Sequence, residues 1–386
     1  MAIEALPPLA LYVHIPWCVR KCPYCDFNSH ALRDDAPPER AYVAALLNDL
    51  ESQLPSVWGR TLSSIFIGGG TPSLFSGEAI DSLLSGVRTR MTLRPDAEIT
   101  LEANPGAVEA GRFHEFRAAG VNRLSIGVQS FADAQLHALG RIHDRGQAIA
   151  AAGIARAAGF DNFNLDLMHG LPGQDIAAAM ADLRQAIELG PTHLSWYQLT
   201  LEPNTLFHAR PPRLPDDDTI AGIEDAGFEL LAGAGYARYE VSAFARDGRR
   251  ARHNLNYWSF GDYLGIGAGA HGKISDGGSG TVRRYHKAKH PTDYLAAPGA
   301  EQASNTLDAG DLVFEFMLNA LRLVDGVPRD WFAARTGLAW SCVQAAFDAA
   351  VADGLLVDDE TRIRPTELGL RFLNDLQARF LDSDAC

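Results

Sequence analysis

The chain has 386 residues and a formal net charge of −14, long enough for two domains or for one large barrel. That charge argues against bulk electrostatic binding to nucleic acid. No run approaches about 18 uninterrupted apolar residues, MAIEALPPLA has none of the marks of a signal peptide, and five cysteines without a disulfide framework read as a cytoplasmic protein.

LALYVHI at 9–15 reads as a strand that breaks at Pro16. Residues 38–54 open on proline and carry apolar residues at helical spacing. SSIFIGGGTP is a strand running into three glycines, and a helix over 76–90 opens on Ser76. EITLEANP (98–105) is a strand, 108–120 a helix ending at glycine, and RLSIGVQS a strand. Residues 133–158 read as helix broken near Arg141–Gly146. NFNLDLMHGLPG is a strand entering a turn, 174–189 a helix stopped by Gly190 and Pro191, and HLSWYQLTLEP a sixth strand.

Six strand–helix units in a row imply parallel strands with right-handed crossovers, in a doubly wound sheet or a partial or full barrel. Polar and glycine-rich residues follow the strands at 16–30, 68–73, 102–106, 127–130, 166–173 and 197–205. In a barrel those ends converge on one face. The G-x-G-x-x-G of a dinucleotide-binding sheet is missing after the first strand. The expectation is therefore an α/β fold, a partial TIM-like (β/α)6 barrel.

Beyond the sixth strand, 208–219 reads as an exposed connection, 219–234 as a helix and YARYEVSAF as strand. Residues 253–274 hold too many glycines for a regular helix. TVRRYHKAKHP (281–291) is a candidate basic patch, or simply a solvated loop. From about 305, helices over 309–322, 328–336 and 340–352, a hairpin in GLLVDDETRIRPTELG and a helix over 366–381 suggest a small winged-helix-like module. That architecture alone does not establish DNA binding. The expected division is 1–245 for the barrel, 246–304 for an extension closing it, and 305–386 for the C-terminal module.

Cys18, Cys22 and Cys25 form C-x3-C-x2-C just after the first strand. A thiolate group this tight suits an iron–sulfur centre. A structural zinc site would need a fourth ligand, with His14, His30 or Asp26 as candidates, and unligated cysteines are the third reading. Three thiolates on a four-iron cube leave one iron open.

YVHIPWCVRKCPYCDFNSH followed by IFIGGGTPS resembles the radical S-adenosylmethionine superfamily. More narrowly, it resembles the family that contains oxygen-independent coproporphyrinogen III oxidase and the HemW-type heme chaperones. The likeness continues through EITLEANP, RLSIGVQSF, LGRIH, NFNLDLMHGLPGQ and HNLNYW into the C-terminal module. The resemblance implies a radical SAM barrel with a HemN-like C-terminal domain, and a [4Fe–4S] cluster on Cys18, Cys22 and Cys25. S-adenosyl-L-methionine would then chelate the open iron.

By the same matching, Tyr12, Tyr24, Gly69, Gly70, Thr71, Glu102, Gln129, Arg141 and Asp166 lie beside the cofactor. The glycines allow close backbone approach and expose amides to a carboxylate. Glu102 would accept polar hydrogens of methionine or ribose, Arg141 would pair with a carboxylate, and Asp166 would accept ribose hydroxyls. Each has a plainer reading as buried structural polarity, and Tyr24 and Phe27 also read as shielding or core packing.

Several oxidases of the family carry a further cysteine two residues after the triad, where this chain has Phe27. They also usually carry a longer segment before the first strand. Both features imply the heme-chaperone branch: a protein that binds heme and transfers it to a heme-accepting respiratory protein, with transient membrane contact through that acceptor. The alternative is a radical enzyme that oxidatively decarboxylates a porphyrinogen. No C-x-x-C-H attachment motif fixes a heme ligand. His271 in GAGAHGK and His253 in HNLNYW are the candidates by context, and each can instead anchor a loop.

Overall fold

The computed structural model describes residues 3–381 apart from 4, 33–35 and 107–109. Its main sheet begins with the six expected strands: β1 (Leu9–Ile15), β2 (Thr61–Gly69), β3 (Thr92–Ala103), β4 (Arg123–Gln129), β5 (Phe163–His169) and β6 (His193–Gln198). They pair in that order and all run parallel. Their apolar runs are buried on both faces, as parallel strands covered by crossover helices require.

The crossovers carry α1 (Glu39–Gln53), α2 (Gly77–Arg90), α3 (Phe113–Ala119), α4 (Arg145–Ala157) and α5 (Ile176–Leu189). Their boundaries have local causes. The Ser76 hydroxyl accepts the Ala79 amide at 3.2 Å and starts α2. Gly190, at φ 61°, ends α5 as only a residue tolerant of the left-handed region does cheaply. The expected break in 133–158 falls between Asp133–Ala138 and α4, where Asp144 caps α4 through the Gln147 amide. The expected start of the helix over 108–120 touches residues outside those described.

After α6 (Asp217–Gly233) come β7 (Ala237–Glu240) and β8 (Ala243–Ala245); β8 pairs antiparallel with β6, and β7 antiparallel with β8 at the sheet edge. The glycine-rich stretch 253–274 is more regular than its composition suggests. It contains α7 (Arg252–Trp258), then β9 (Asp262–Ile266), which lies parallel on the free side of β1, from Leu9 opposite Asp262 to Val13 opposite Ile266. β10 (His271–Asp276), β11 (Thr281–Lys287) and β12 (Glu301–Thr306) follow antiparallel. The full order is β12-β11-β10-β9-β1-β2-β3-β4-β5-β6-β8-β7.

The segment 281–291 is thus not a solvated loop through its first seven residues. As β11 it spends its cations on ion pairs: Arg283 with Glu301, Arg284 with Glu315, and Lys287 with Asp49 at 2.7 Å in full burial.

The C-terminal helices, Ala309–Ala320, Asp330–Thr336 and Ser341–Ala352, gather around Phe316, Phe332 and Phe347. Phe260 and Val282 of the preceding segment belong to this same apolar cluster. The expected hairpin is only a bridge between Leu356 and Pro365, and Arg362–Ile363 pairs with Val327–Pro328 instead. The last helix is broken at Phe372 into Glu367–Arg371 and Leu373–Ala378.

Candidate functional site

The cysteine loop leaves β1 at Pro16 and is closed on itself by backbone. The His30 amide donates to the Pro16 carbonyl at 2.7 Å and the Leu32 amide to Cys18 at 2.9 Å. Within the loop, the Cys25 amide turns back to the Cys22 carbonyl at 3.2 Å. The glycine segment after β2 fastens the loop from the other side: Gly70 donates to Ile15 at 2.8 Å and Thr71 to Trp17 at 2.7 Å. Glycine is required there. A Cβ on Gly70 would stand 2.5 Å from the Trp17 carbonyl oxygen, and Gly69 sits at φ 116° with its would-be Cβ 2.6 Å from the His14 ring.

This junction opens into a cavity of about 310 Å³ at the C-terminal ends of the six parallel strands. Cys18, Cys22 and Cys25 line it together with Tyr24. Opposite them stand Gly69, Gly70, Thr71 and Glu102. Gln129, Arg141 and Asp166 line the cavity as well, so that of the residues expected beside the cofactor only Tyr12 lies outside its lining. The convergence of strand ends is the barrel geometry itself.

The polar groups hold one another in place. The Gly69 amide donates to Glu102 Oε2 at 3.0 Å. Arg141 Nη2 donates to Asn104 Oδ1 at 2.6 Å and to the Gly127 carbonyl at 2.7 Å, while Nη1 approaches Cys22 Sγ at 3.7 Å and its buried Nε has no partner. Gln129 takes a left-handed φ of 70° and accepts the Tyr197 hydroxyl at 2.8 Å. Asp166 accepts from Ser125 at 3.0 Å and Asn164 at 2.6 Å.

Burial, then the negative charge of Asp166, pushes Glu102 up to about 8, and burial likewise raises Asp166. Burial raises the Cys18 and Cys25 thiols. Burial disfavours the charged form of both carboxyls, and hydroxyl or ammonium hydrogens of a ligand would offset that cost. Asn104, Ser125, Ser195 and Tyr197 also line the cavity and were not singled out from sequence. Asn104 stands two residues after Glu102 at the same strand end, which is the signal that could have found it.

A second cavity, of about 780 Å³, adjoins the first and shares Phe27, Ser29, Gly69 and Glu102 with it. Tyr12 faces this second cavity, where its hydroxyl donates to His14 Nδ1 at 2.7 Å. His271 lines it as well. His253 lines neither: it is buried, its Nδ1 donates to Glu98 at 2.8 Å, and its ring stacks on Phe66 at 4.2 Å.

Among the described residues no three His, Cys, Asp or Glu side chains are grouped to hold a metal ion. The triad instead spreads along the wall of a cavity that also offers glycine amides and an unpartnered Arg141 nitrogen. That donor set fits an iron–sulfur cluster with an amino-acid-bearing cofactor beside it.

Residues 12–186 match the Radical SAM superfamily and 307–372 match the HemN C-terminal domain. The chain is 54% identical over 376 residues to "Heme chaperone HemW" of Escherichia coli (strain K12), covering 97% of this chain and 99% of that protein. The HemW of Haemophilus influenzae is 50% identical, over 98% of this chain and 99% of its own. The chain belongs to the HemW family. A solved structure, the coproporphyrinogen III oxidase HemN of Escherichia coli, described as a radical SAM enzyme, superposes with a TM-score of 0.82 at 26% identity, covering 98% of this chain and 91% of that one. As a HemW-family protein the chain thus has the HemN-like partial barrel, and its radical SAM domain is of the type that uses a [4Fe–4S] cluster and S-adenosylmethionine. No helix among the described residues is long and apolar enough to cross a membrane.

Proposed function

We propose that this chain is a cytoplasmic heme chaperone that binds heme and passes it to a heme-accepting respiratory protein, touching the membrane transiently through that acceptor. The observation that carries the reading is 54% and 50% identity to two heme chaperones over nearly the whole chain. Cys18, Cys22 and Cys25 would hold the [4Fe–4S] cluster. The amides of Gly69, Gly70 and Thr71 would receive the amino-acid end of S-adenosylmethionine, with Arg141 positioned for its carboxylate. Glu102 and Asp166 would take polar hydrogens of the amino group and ribose, Gln129 would offer both donor and acceptor, and Tyr24 would cover the cluster side. Tyr12 would act on this site from the adjoining cavity. When bound, the cluster and its cofactor supply one-electron chemistry at a sulfonium.

The proposed division of labour is a barrel over 1–245, a closing extension over 246–304 and a C-terminal module over 305–386. The barrel residues keep the cofactor site dry and oriented. The test is transfer of heme from purified, cluster-loaded chain to a heme-free respiratory enzyme. Spectral appearance of heme in the acceptor is expected. Failure to bind or donate heme with the cluster intact would overturn the reading. Protoporphyrinogen formed from coproporphyrinogen, reductant and S-adenosylmethionine would favour the oxidase instead.

A further inference from the structure

The second cavity combines three features that no single structural purpose explains. Its volume, about 780 Å³, falls within the roughly 300–1,000 Å³ of sites that bury a large organic ligand. Its walls are aromatic: Tyr257 packs edge-on to Tyr263 at 4.8 Å, beside Phe66, Trp258 and Phe260. Trp258 lines it by its ring, and its buried Nε1 has no hydrogen-bond partner among the described residues.

The second feature is charge. Four cations line the cavity. Lys273 is committed to Asp262 at 2.9 Å and Arg284 to Glu315 at 2.5 Å. Among the described residues Lys21 and Lys289 have no carboxylate partner. The Lys21 ammonium donates only to the Phe27 carbonyl, at 3.2 Å. The next residue, Asn28, reaches the Lys289 carbonyl at 2.9 Å, so both lysines are anchored to one turn at the rim. The lining carboxyls are Asp26 and Glu102, and Glu102 keeps its proton up to about 8. Two uncompensated ammonium groups over an aromatic slot match a flat macrocycle with two carboxylate arms.

The third feature is an available imidazole. Of the histidines lining the cavity, His14 uses both ring nitrogens, on Tyr12 and on the Asn28 carbonyl at 2.9 Å. His30 is turned to Asn28 and the Lys289 carbonyl, both at 3.3 Å. Among the described residues His271 has no hydrogen bond on either ring nitrogen, and its ring stacks on His286 at 5.2 Å. Burial lowers it, with His286 and Lys289 adding to the effect, which favours the neutral, ligating form.

We propose that the second cavity is the heme site, with His271 as the iron ligand and Lys21 and Lys289 receiving the two propionates. This rests on the heme-handling reading above. His253 stands outside this site: it lines neither cavity, its Nδ1 is bonded to Glu98 and its ring face is stacked on Phe66.

The full-length chain, cluster-loaded without oxygen, is titrated with ferric protoheme and with its dimethyl ester, following the Soret band and the iron spin state. The unmodified chain is expected to bind protoheme about tenfold more tightly than the ester, the worth of one charge-assisted contact. His271→Ala loses the histidine-ligated spectrum and at least about tenfold in affinity. Lys289→Ala weakens protoheme and leaves the ester unchanged. Cluster absorbance and melting temperature should match the unmodified chain in both variants, since neither side chain bonds to the fold. If the unmodified chain binds heme and both variants keep its spectrum and affinity, or if only a His253→Gln chain loses the spectrum, the site is wrong while the chaperone reading stands. If the unmodified chain binds no heme, both fail.

Discussion

Glu98 and Glu102 sit four residues apart on β3, on the same face of the strand, yet their carboxyls behave in opposite ways. Burial pushes Glu98 up, but the His253 hydrogen bond, the Arg123 charge and the Arg252 amide outweigh it and hold the group at about 2. Glu102 has the Gly69 amide and faces Asp166, so burial wins and the group rises to about 8. Glu98 is therefore a fixed structural anion, and Glu102 a group that a ligand can ionise.

The sign of the pH effect follows. A carboxyl whose folded-state pKa is raised contributes stability in full below its unfolded value near 4.5, and loses it as pH rises toward 8. Glu102→Gln removes that dependence. In the chain without bound cofactor, the variant should melt close to the unmodified chain at pH 4.5 and progressively above it by pH 8. The gap should be on the order of a few kcal/mol, at about 1.4 kcal/mol per pKa unit. A constant offset across that range would contradict the assignment.

At the scale of elements, β11 shows how a charge run is disarmed. Lys287 enters full burial only because α1 presents Asp49, whose carboxylate also accepts from Tyr294 and from the Gly267 amide. The pair joins the first crossover helix to the sheet extension. Removing one partner strands the other charge, so Lys287→Met should cost about 3–5 kcal/mol in denaturant unfolding. A cost below about 1 kcal/mol would mean water reaches Asp49.

This element also marks where sequence runs out. The six β/α units are legible because a parallel strand buried on both faces must be a continuous apolar run, as LALYVHI and NFNLDLMH are. The triad and GGGTP are legible because chemistry concentrates them within a few residues. The partnership of Lys287 with Asp49 spans most of the chain and leaves no local trace. The same holds for the second cavity, whose walls come from Tyr12, Phe66, Tyr257, Lys273, Lys289 and Asn319. Only the fold brings them together.

For the whole molecule, the apolar cluster that continues beyond residue 305 matters most. Phe260 stacks edge-on to Phe316 at 5.6 Å, and Val282 of β11 is fully buried in the same cluster. The C-terminal helices therefore complete a core that the preceding segment only half builds. Ending the chain after Thr306 would expose that surface beside the second cavity. The shortened protein should elute as aggregates and bind a hydrophobic dye, whereas a monomeric species with an unchanged melting curve would show the two parts to be independent.

The clamp at the base of the cysteine loop sets an order of events in the life of the protein. Its closing contacts run between main-chain atoms of Pro16, His30, Leu32, Ile15, Trp17, Gly70 and Thr71. Among these main-chain contacts only the Cys18 carbonyl belongs to a triad residue. A metal-dependent finger condenses around its ion and is unfolded without it. Here the barrel can be finished first and the inorganic part inserted later. Loss of the proposed cluster should therefore leave the loop closed and the barrel folded.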